Sequence, residues 1–455
     1  MSCDIATIFW LLFAIIAPAL AAYPVVRRIL PGYSLFFVLP CSFAAGMGLM
    51  TIIQFYLNAV FNIPLSFLCG IVVVIGIAVF SLIISRYFNK NVHIDTPVQM
   101  VVGRRTWEAI PALIITGLLF MVLWRILNLS LSSPVGCIPG MGDWGAKARF
   151  MFGSGMIPWA NIMDSGLPYM HGEYPLGYPI FLSWVYSCMG GFDDFHIKLI
   201  PCLFGFMGIS MIVGFLGVRK VKMMLTLLAI LLVASDPMFK SCCTEMYAET
   251  CLLLFVLPGV FLVYESFRTR KVVESSFGVL LLAMSAWIKN EGLMFLSITT
   301  VFITLDLFLV GWKKDRAWML LAAGIVGLMI FAVPWRIICW WLGIGLYDFG
   351  PHLEASYFGL AWMKFIRCMI MNPMEYGFLW SGIVLFAVAA VILKKWHNGM
   401  SFVLFFLLMA VLVFTLLFVF SSREIGWHLN ALPRILMVPG MAGFVLLSGA
   451  LCDAD

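Results

Sequence analysis

The sequence predicts an all-α, polytopic membrane protein with about 13 transmembrane helices. Of its 455 residues, 63% are hydrophobic, and the mean hydropathy is +1.05. Soluble domains are usually nearer half apolar. The apolar runs approach the ~20 residues that a helix needs to cross a hydrocarbon core of roughly 30 Å. They follow one another with short polar joins, which favours a helical bundle over a β-barrel.

Hydrophobic runs give the candidate helices in chain order, at 5–22, 34–55, 66–85, 109–129, 174–190, 198–217, 222–235, 247–264, 276–290, 293–311, 317–340, 376–393, 401–420 and 434–450. If all basic joins lie on one side, the fifth and sixth runs make one net crossing, and the join "GFDDFHIK" between them has no assigned side. The first run follows no basic region and precedes only a poor cleavage site, "AAYP", so we expect this helix to be retained.

The basic residues indicate the orientation. They cluster at Arg27/Arg28, 86–105, 219–222, 268–271, 313–316 and Lys394/Lys395. These joins share one side if the N-terminus starts outside, and we assign that side to the cytoplasm. The longest outside interval is then 131–173. Because the cytoplasmic joins account for the net charge of +6, the charge indicates no nucleic-acid partner.

The outside interval 131–173 contains a candidate catalytic acid. Asp143 is the only carboxylate between Leu131 and Met163, and its i, i+4 spacing to Lys147 would place both on one face of a helix. An ordinary surface ion pair is the alternative. The loop is also rich in Gly, Met, Phe and Trp, which is typical of short helices at the membrane interface.

Further polar residues stand in the other outside segments. His171, Glu173 and Tyr174 precede the fifth apolar run, although interfacial anchoring alone explains a tyrosine there equally well. Glu245 and Glu249 have the i, i+4 spacing at which like charges on one helical face repel. The remaining candidates are Lys289, Glu291, Arg336, His428 and Arg434. Ionisable groups beside membrane spans are costly enough to suggest function, and the alternative for Lys289 and Glu291 is a polar turn between two helices.

The twelve cysteines predict no metal or disulfide framework. They are scattered without a CxxC pair, and several, such as Cys41, Cys69 and Cys251, lie inside apolar runs. We therefore expect buried small side chains. His171 and Glu173 have no accompanying HExxH pattern, so a divalent ion is an alternative that we do not favour.

Several segments, taken in order, resemble one family of membrane enzymes. They are "DWGAKARFMF", "HGEYPLGYPIFLSWVY", "MYAETCLLLF", "WIKNEGLMF", "VPWRI" and "WHLNALPRIL", from about Asp143 to about Leu436. Together they are similar to integral-membrane glycosyltransferases of the GT-C class, in the bacterial branch related to protein O-mannosyltransferases and aminoarabinose transferases. The resemblance implies transfer of a sugar from a polyprenyl-phosphate carrier to an acceptor outside, by means of an acid in the first large outside loop.

Asp143 matches that acid by location, with Glu173 and Asp164 as substitutes. The reaction needs a base near the acceptor hydroxyl, and cations or oriented donors for the departing phosphate. Lys147, Arg149, Lys289, Arg336 and Arg434 are the cations available on the outside. We expect a single displacement with inversion at the anomeric carbon.

The sequence therefore predicts two regions and one activity. Residues 1–105 form a three-helix segment outside the resemblance, and residues 106–455 form a GT-C-like module with the catalytic loop at 131–173. We expect a cell-envelope enzyme in a bacterial inner membrane, with its site facing the periplasm or the exterior and with no cofactor. Its partners would be the lipid-linked donor and a lipid, glycan or protein acceptor. The alternatives are a transporter or flippase of lipid-linked sugars, and a polysaccharide polymerase or ligase.

Overall fold

The computed structural model describes residues 5–87, 106–136, 142–163, 171–269, 271–309, 314–344, 355–372, 377–395, 398–417 and 425–452, and these ranges contain helices and no strand. The helices are α1 (Ile5–Ile29), α2 (Leu35–Phe61), α3 (Phe67–Tyr87), α4 (Thr106–Ser132), α5 (Trp144–Ser154), α6 (Trp159–Met163), α7 (Gly177–Met189), α8 (Leu199–Val218, after a 3-10 turn His196–Lys198), α9 (Met223–Ser235), α10 (Pro237–Thr244), α11 (Glu249–Thr269), α12 (Val272–Ile288), α13 (Asn290–Leu309), α14 (Lys314–Phe331), α15 (Val333–Trp341), α16 (Ala355–Lys364, continued by a π-helical turn Phe365–Ile370), α17 (Leu379–Ile392), α18 (Asn398–Leu417) and α19 (Ile425–Cys452).

The all-α, membrane-embedded class that the sequence predicts is confirmed. Nine of the described helices are long and apolar enough to cross a membrane, and a tenth crossing is counted if α9 and α10, bent by 66° at their junction, form one broken span. The sequence predicts about 13 crossings. Part of the difference arises because some apolar runs fold into shorter helices, among them α12 and α17.

The bend between α9 and α10 has a local cause. Pro237 begins α10, where a missing N–H costs nothing and the fixed φ suits a first turn. Asp236 caps the same helix, because its Oδ1 accepts hydrogen bonds of 2.9 Å from the backbone N–H groups of Met238 and Phe239. This Asp-Pro pair therefore ends one helix and starts the next at a new angle.

The centre of the bundle is built around α11, in which 94% of the most apolar stretch of 18 residues is buried. It packs against α2, α8, α12 and α19. Two glycines let α11 and α12 approach closely, since a Cβ at Gly259 would lie 3.0 Å from the carbonyl oxygen of Gly278, and a Cβ at Gly278 would lie 2.9 Å from that of Gly259. Close backbone approach is how helices gain packing energy in lipid, where no hydrophobic effect drives them together.

The first three helices share this core. The most buried of them, α2, packs against α7, α8, α11 and α12 as well as α1 and α3. One continuous cluster of buried apolar side chains runs from α1 to α19. The predicted boundary after residue 105 falls at the end of 88–105, which lies outside the described residues.

The join "GFDDFHIK" lies at the same end of the bundle as the α4–α5 loop. Asp194 forms an ion pair with Arg149 of α5, and its carbonyl accepts a 3.0 Å hydrogen bond from Val135, just after α4. Lys198 donates to Ser133, also at the end of α4. Helix α7 has 13 residues, and both of its ends lie beside α5, with Tyr178 near Trp144 and Tyr186 near Phe152. We refer to this end of the bundle as the loop end.

The eight cysteines whose side chains the structure describes are all buried, as predicted for small hydrophobic side chains; they are Cys41, Cys69, Cys188, Cys202, Cys242, Cys243, Cys251 and Cys339.

Candidate active site

Asp143 lies at the start of α5 and faces Lys147 one turn later. It occupies the N-cap position, but its side chain makes no capping hydrogen bond, although aspartate there usually caps the helix. Instead, Asp143 Oδ1 lies 2.7 Å from Lys147 Nζ. Asp143 is 3% exposed and Lys147 is 0% exposed. The predicted i, i+4 pair is confirmed, and it is buried instead of forming a surface ion pair.

Lys147 also joins α5 to the segment before α7. Its Nζ donates to the carbonyl oxygen of His171 and lies 5.6 Å from the centre of the Trp144 ring. A buried ammonium group is strongly unfavourable unless it is paired. These contacts supply the partners and hold His171 beside Asp143.

The surroundings of Asp143 make its carboxylate a stronger base. Burial raises the pKa of this carboxyl above its ordinary value, and the charges of Lys147 and His171 offset that rise only in part. The charge of Glu173 adds to the rise. A general base works best when its pKa approaches the working pH, so Asp143 has the electrostatic properties of a proton acceptor.

Glu173 and His171 form a second pair in the same place. His171 Nδ1 lies 3.3 Å from Glu173 Oε1, and Glu173 is 4% exposed. The backbone carbonyl of Glu173 accepts a 3.0 Å hydrogen bond from Trp335 Nε1 of α15. The substitute base Glu173 therefore belongs to the Asp143 group, whereas Asp164 lies outside the described residues.

A second group of charges surrounds Glu249, the first residue of α11. Lys289 Nζ lies 3.1 Å from Glu249 Oε1 and 2.7 Å from Glu291 Oε1. Arg434 Nε lies 2.6 Å from Glu249 Oε1, and its guanidinium carbon is 4.3 Å from the centre of the Tyr247 ring. One carboxylate thus holds two cations, and one ammonium lies between two carboxylates.

The segment "IKNEG" places its charges at the loop end because it forms the tight turn between α12 and α13. The extended backbone of Lys289 (φ −155°, ψ 151°) ends α12. Gly292 allows α13 to fold back on α12, since a Cβ there would lie 2.2 Å from the carbonyl oxygen of Ser285. The predicted polar turn and the predicted charged site are therefore the same feature.

Tyr174 connects the two groups of charges. Its ring lies 5.2 Å from the Trp144 ring and 5.4 Å from the His171 ring, centre to centre. Lys289 Nζ lies 5.8 Å from the centre of the same ring. An aromatic ring attracts a nearby cation through its quadrupole. Tyr174 therefore contacts residues of both the Asp143 group and the Glu249 group.

Arg336 approaches the same region from α15. Its guanidinium donates a hydrogen bond to the side-chain oxygen of Asn290, the first residue of α13. Trp335, its neighbour in the chain, packs edge-on against Trp287 of α12, with ring centres 6.5 Å apart. The short helix α15 therefore contacts Glu173 of the Asp143 group and Asn290, which stands between Lys289 and Glu291 in the chain.

Two predicted site residues belong to a different group. Arg149 points to Asp194, and Glu245 lies 3.7 Å from Lys198. Asp194 is 40% exposed, whereas the side chain of Lys198 is 1% exposed. This group ties α5 and α10 to the turn before α8, and no contact of its members with Asp143 or Glu249 occurs in the described residues.

The predicted pairing of Glu245 and Glu249 on one helical face is wrong. Helix α10 ends at Thr244, and Glu245 has an extended backbone (φ −122°, ψ 159°). A new helix, α11, starts only at Glu249. The two carboxylates therefore lie on different helices with different partners, so like-charge repulsion along one face does not arise.

Sequence reasoning missed several aromatic residues of the site. Tyr247, Trp335 and Trp144 contact Arg434, Glu173 and Lys147 respectively. They stand in the motifs "MYAET", "VPWRI" and "DWGAK" respectively. Their position next to charged residues in these motifs is the feature of the sequence that could have identified them as site residues. The side chain of His428 lies outside the described part of the chain.

The described residues contain no group of three or more His, Cys, Asp or Glu side chains arranged for a metal ion.

Comparisons with known proteins give one match, and that match is structural. No family model matches the chain, and no curated protein matches its sequence. A crystal structure of ArnT from Cupriavidus metallidurans bound to undecaprenyl phosphate is similar, at 15% sequence identity and a TM-score of 0.47. The match covers 75% of this chain and 60% of that one, so this chain matches less than two thirds of the length of ArnT.

Proposed function

We propose that the protein is an integral-membrane glycosyltransferase that moves a sugar from a polyprenyl-phosphate donor to a lipid, glycan or protein acceptor. The observation that carries this proposal is the position of Tyr174. Its ring contacts Trp144 and His171 of the Asp143 group and Lys289 of the Glu249 group. A proton acceptor and a phosphate-binding group side by side are what this transfer requires.

Asp143 is the base in this proposal. Its pKa is raised by burial, and Lys147 holds it in place at 2.7 Å. The acceptor hydroxyl would approach Asp143 from the side of Tyr174. Glu173 would hold His171 beside it, and Glu173 remains the substitute base.

Arg434 is the group best placed to receive the phosphate. Glu249 and Tyr247 fix its Nε and its face, while about a quarter of its side chain remains exposed, at 25%. Guanidinium groups bind phosphate oxygens with two parallel hydrogen bonds. Lys289 shares the partner Glu249 with Arg434 and is a second positive charge, already neutralised by Glu249 and Glu291.

The chemical step balances with these groups alone. The acceptor oxygen forms a bond to the anomeric carbon, and its proton passes to the carboxylate of Asp143. The bond between the anomeric carbon and the phosphate oxygen breaks, and its electron pair leaves with the polyprenyl phosphate, which gains one negative charge. Arg434 stabilises that charge. One displacement of this kind inverts the anomeric centre.

Transport of a lipid-linked sugar is the second candidate, and one observation favours it. The α9–α10 pair is bent by 66° at an Asp-Pro junction, and broken helices are typical of transporter binding sites. Transport predicts movement of intact donor across the membrane without cleavage.

Transfer of labelled sugar from synthetic polyprenyl-phosphate donors in proteoliposomes tests the proposal. We expect the native protein to release labelled product and Asp143→Asn to lose turnover while still binding donor. The control Glu274→Gln also turns a buried, ion-paired carboxylate into an amide, but at the opposite end of α12 from Lys289, and should retain turnover. Full turnover by Asp143→Asn would move the base to Glu173. Donor that crosses the bilayer uncleaved would establish transport instead.

A further inference from the structure

The C-terminal end of α5 is fastened to α2 through one buried side chain, Asn58. Its Oδ1 accepts a 3.0 Å hydrogen bond from the backbone N–H of Ile157. Its Nδ2 donates to the carbonyl oxygens of Gly155, at 3.1 Å, and Ile63, at 2.9 Å. Asn58 is 1% exposed. Both polar groups of this buried amide, the oxygen and the nitrogen, form hydrogen bonds to the backbone that follows α5.

The surrounding backbone completes this attachment. Gly155 ends α5 in the left-handed region, at φ 70°, and its carbonyl also accepts a 2.7 Å hydrogen bond from the N–H of Leu65. On the other side, Asn62 ends α2 with φ 54°, which turns the chain so that residues 63–65 run alongside Gly155. Two helix ends in the same unusual conformation therefore meet at Asn58.

This attachment bears on Asp143 because both belong to one rigid element. Asp143 precedes the first turn of α5, and Gly155 follows its last. At 1.5 Å per residue, the two positions are roughly 18 Å apart along the helix. A tilt or slide of α5 at Gly155 is thus transmitted to Asp143 and Lys147, whose partners His171 and Tyr174 belong to another segment.

We infer that Asn58 is a positioning residue, which sets the height and tilt of α5 and so places Asp143 and Lys147 opposite Tyr174. The first three helices, which lie outside the sequence resemblance, are then the platform of the candidate active site. The catalytic consequence rests on the proposed function, whereas the effect on α5 does not.

Hydrogen–deuterium exchange of the full chain tests the positioning without any substrate. Asn58→Leu keeps the size of the side chain and removes its hydrogen bonds to Ile157, Gly155 and Ile63, together with a weaker one of 3.3 Å to Met156 Sδ. We expect faster exchange both in residues 155–157 and along α5 itself. The matched control is Gln54→Met, one turn earlier on α2. Gln54 is also a buried amide, at 2% exposed, with an unbonded Oε1, and its replacement should leave α5 protected as in the native chain.

A second variant keeps the test informative if Asn58→Leu folds poorly. Asn58→Asp retains the acceptor for Ile157, but its ionised form sets a negative oxygen against the carbonyls of Gly155 and Ile63. Protonation turns that oxygen into a hydrogen-bond donor. We therefore expect the exchange of α5 in Asn58→Asp to slow towards the native rate as the pH falls, when the two proteins are compared at each pH. Unchanged α5 protection in Asn58→Leu, or equal loss in Gln54→Met, would overturn the inference.

Turnover then connects the positioning to the chemistry. A misplacement of about 1 Å can cost roughly 100-fold in rate, so we expect kcat of Asn58→Leu to fall by about 10- to 100-fold. The KM for donor should stay within about twofold, since Arg434 does not depend on α5. A native kcat in Asn58→Leu would overturn the catalytic role. Absence of turnover in the native protein would count against the proposed function. Hydrogen–deuterium exchange would then be the test of whether Asn58 positions α5.

Discussion

The carboxylate of Glu249 lies 2.6 Å from Arg434 Nε, although Glu249 begins α11 and Arg434 lies in α19, near the end of the chain. The same oxygen also receives Lys289 at 3.1 Å. This single acid therefore fixes two cations, one at the end of α12 and one in α19. Only 1% of Glu249 is exposed.

Loss of the Glu249 charge should destabilise the protein. Glu249→Gln leaves Lys289 and Arg434 without their shared counter-charge, and removal of one partner from a buried ion pair costs about 3–5 kcal/mol. We expect a clearly lower midpoint of thermal unfolding in detergent. The comparison variant Asp194→Asn removes a carboxylate that is 40% exposed, where pairs contribute about 0–1 kcal/mol. Equal effects of the two changes would contradict this account of Glu249.

The activity should fall at low pH because Asp143 must be ionised to accept a proton. Burial raises the pKa of Asp143, and Lys147 lowers it in part. Lys147→Met removes the lowering charge, so the pKa of Asp143 should rise further and the acidic limb of kcat should move to higher pH. The pH profile of kcat measures this. A shift to lower pH would mean that another group is the base.

The ring of Tyr174 contacts both groups of charges. Tyr174→Phe keeps the contacts with Trp144, His171 and Lys289, and we expect it to retain most activity. Tyr174→Ala removes the ring that contacts both groups of charges, and kcat should drop by about 10- to 100-fold, as expected for misplaced reacting groups. Steady-state kinetics of the pair distinguish the two roles. If Tyr174→Phe is as impaired as Tyr174→Ala, the hydroxyl itself takes part.

A side chain at Gly155 should destabilise the protein. Its φ of 70° is a left-handed conformation, and a Cβ there would lie 3.3 Å from Pro64 Cβ. We expect Gly155→Ala to lower the free energy of unfolding by about 1–2 kcal/mol and to loosen α5 in hydrogen exchange. The control Gly153→Ala lies inside α5 with only Phe192 near, at 4.0 Å, and alanine there favours the helix. Equal destabilisation by both variants would rule out strain at Gly155 as the cause.

Local sequence patterns predicted those parts of the site that lie within one helix or one turn. The Asp143–Lys147 pair depends only on helical spacing, and the "IKNEG" turn depends on a polar break between two apolar runs. Glu245 and Glu249 show where such reasoning fails. Their spacing fits one helix, but the chain leaves the helix at Thr244, and the spacing alone carries no sign of that break.

The sequence by itself determined that the chain is a bundle of membrane helices, because a span in lipid must satisfy its own backbone hydrogen bonds and its length is fixed by the bilayer. Only the tertiary structure decided that Glu249, Lys289 and Arg434 meet, that both ends of α7 lie beside α5, and that Asn58 holds α5. These contacts join residues far apart in the chain, and their formation depends on how whole helices pack, which no local pattern of hydropathy or charge encodes.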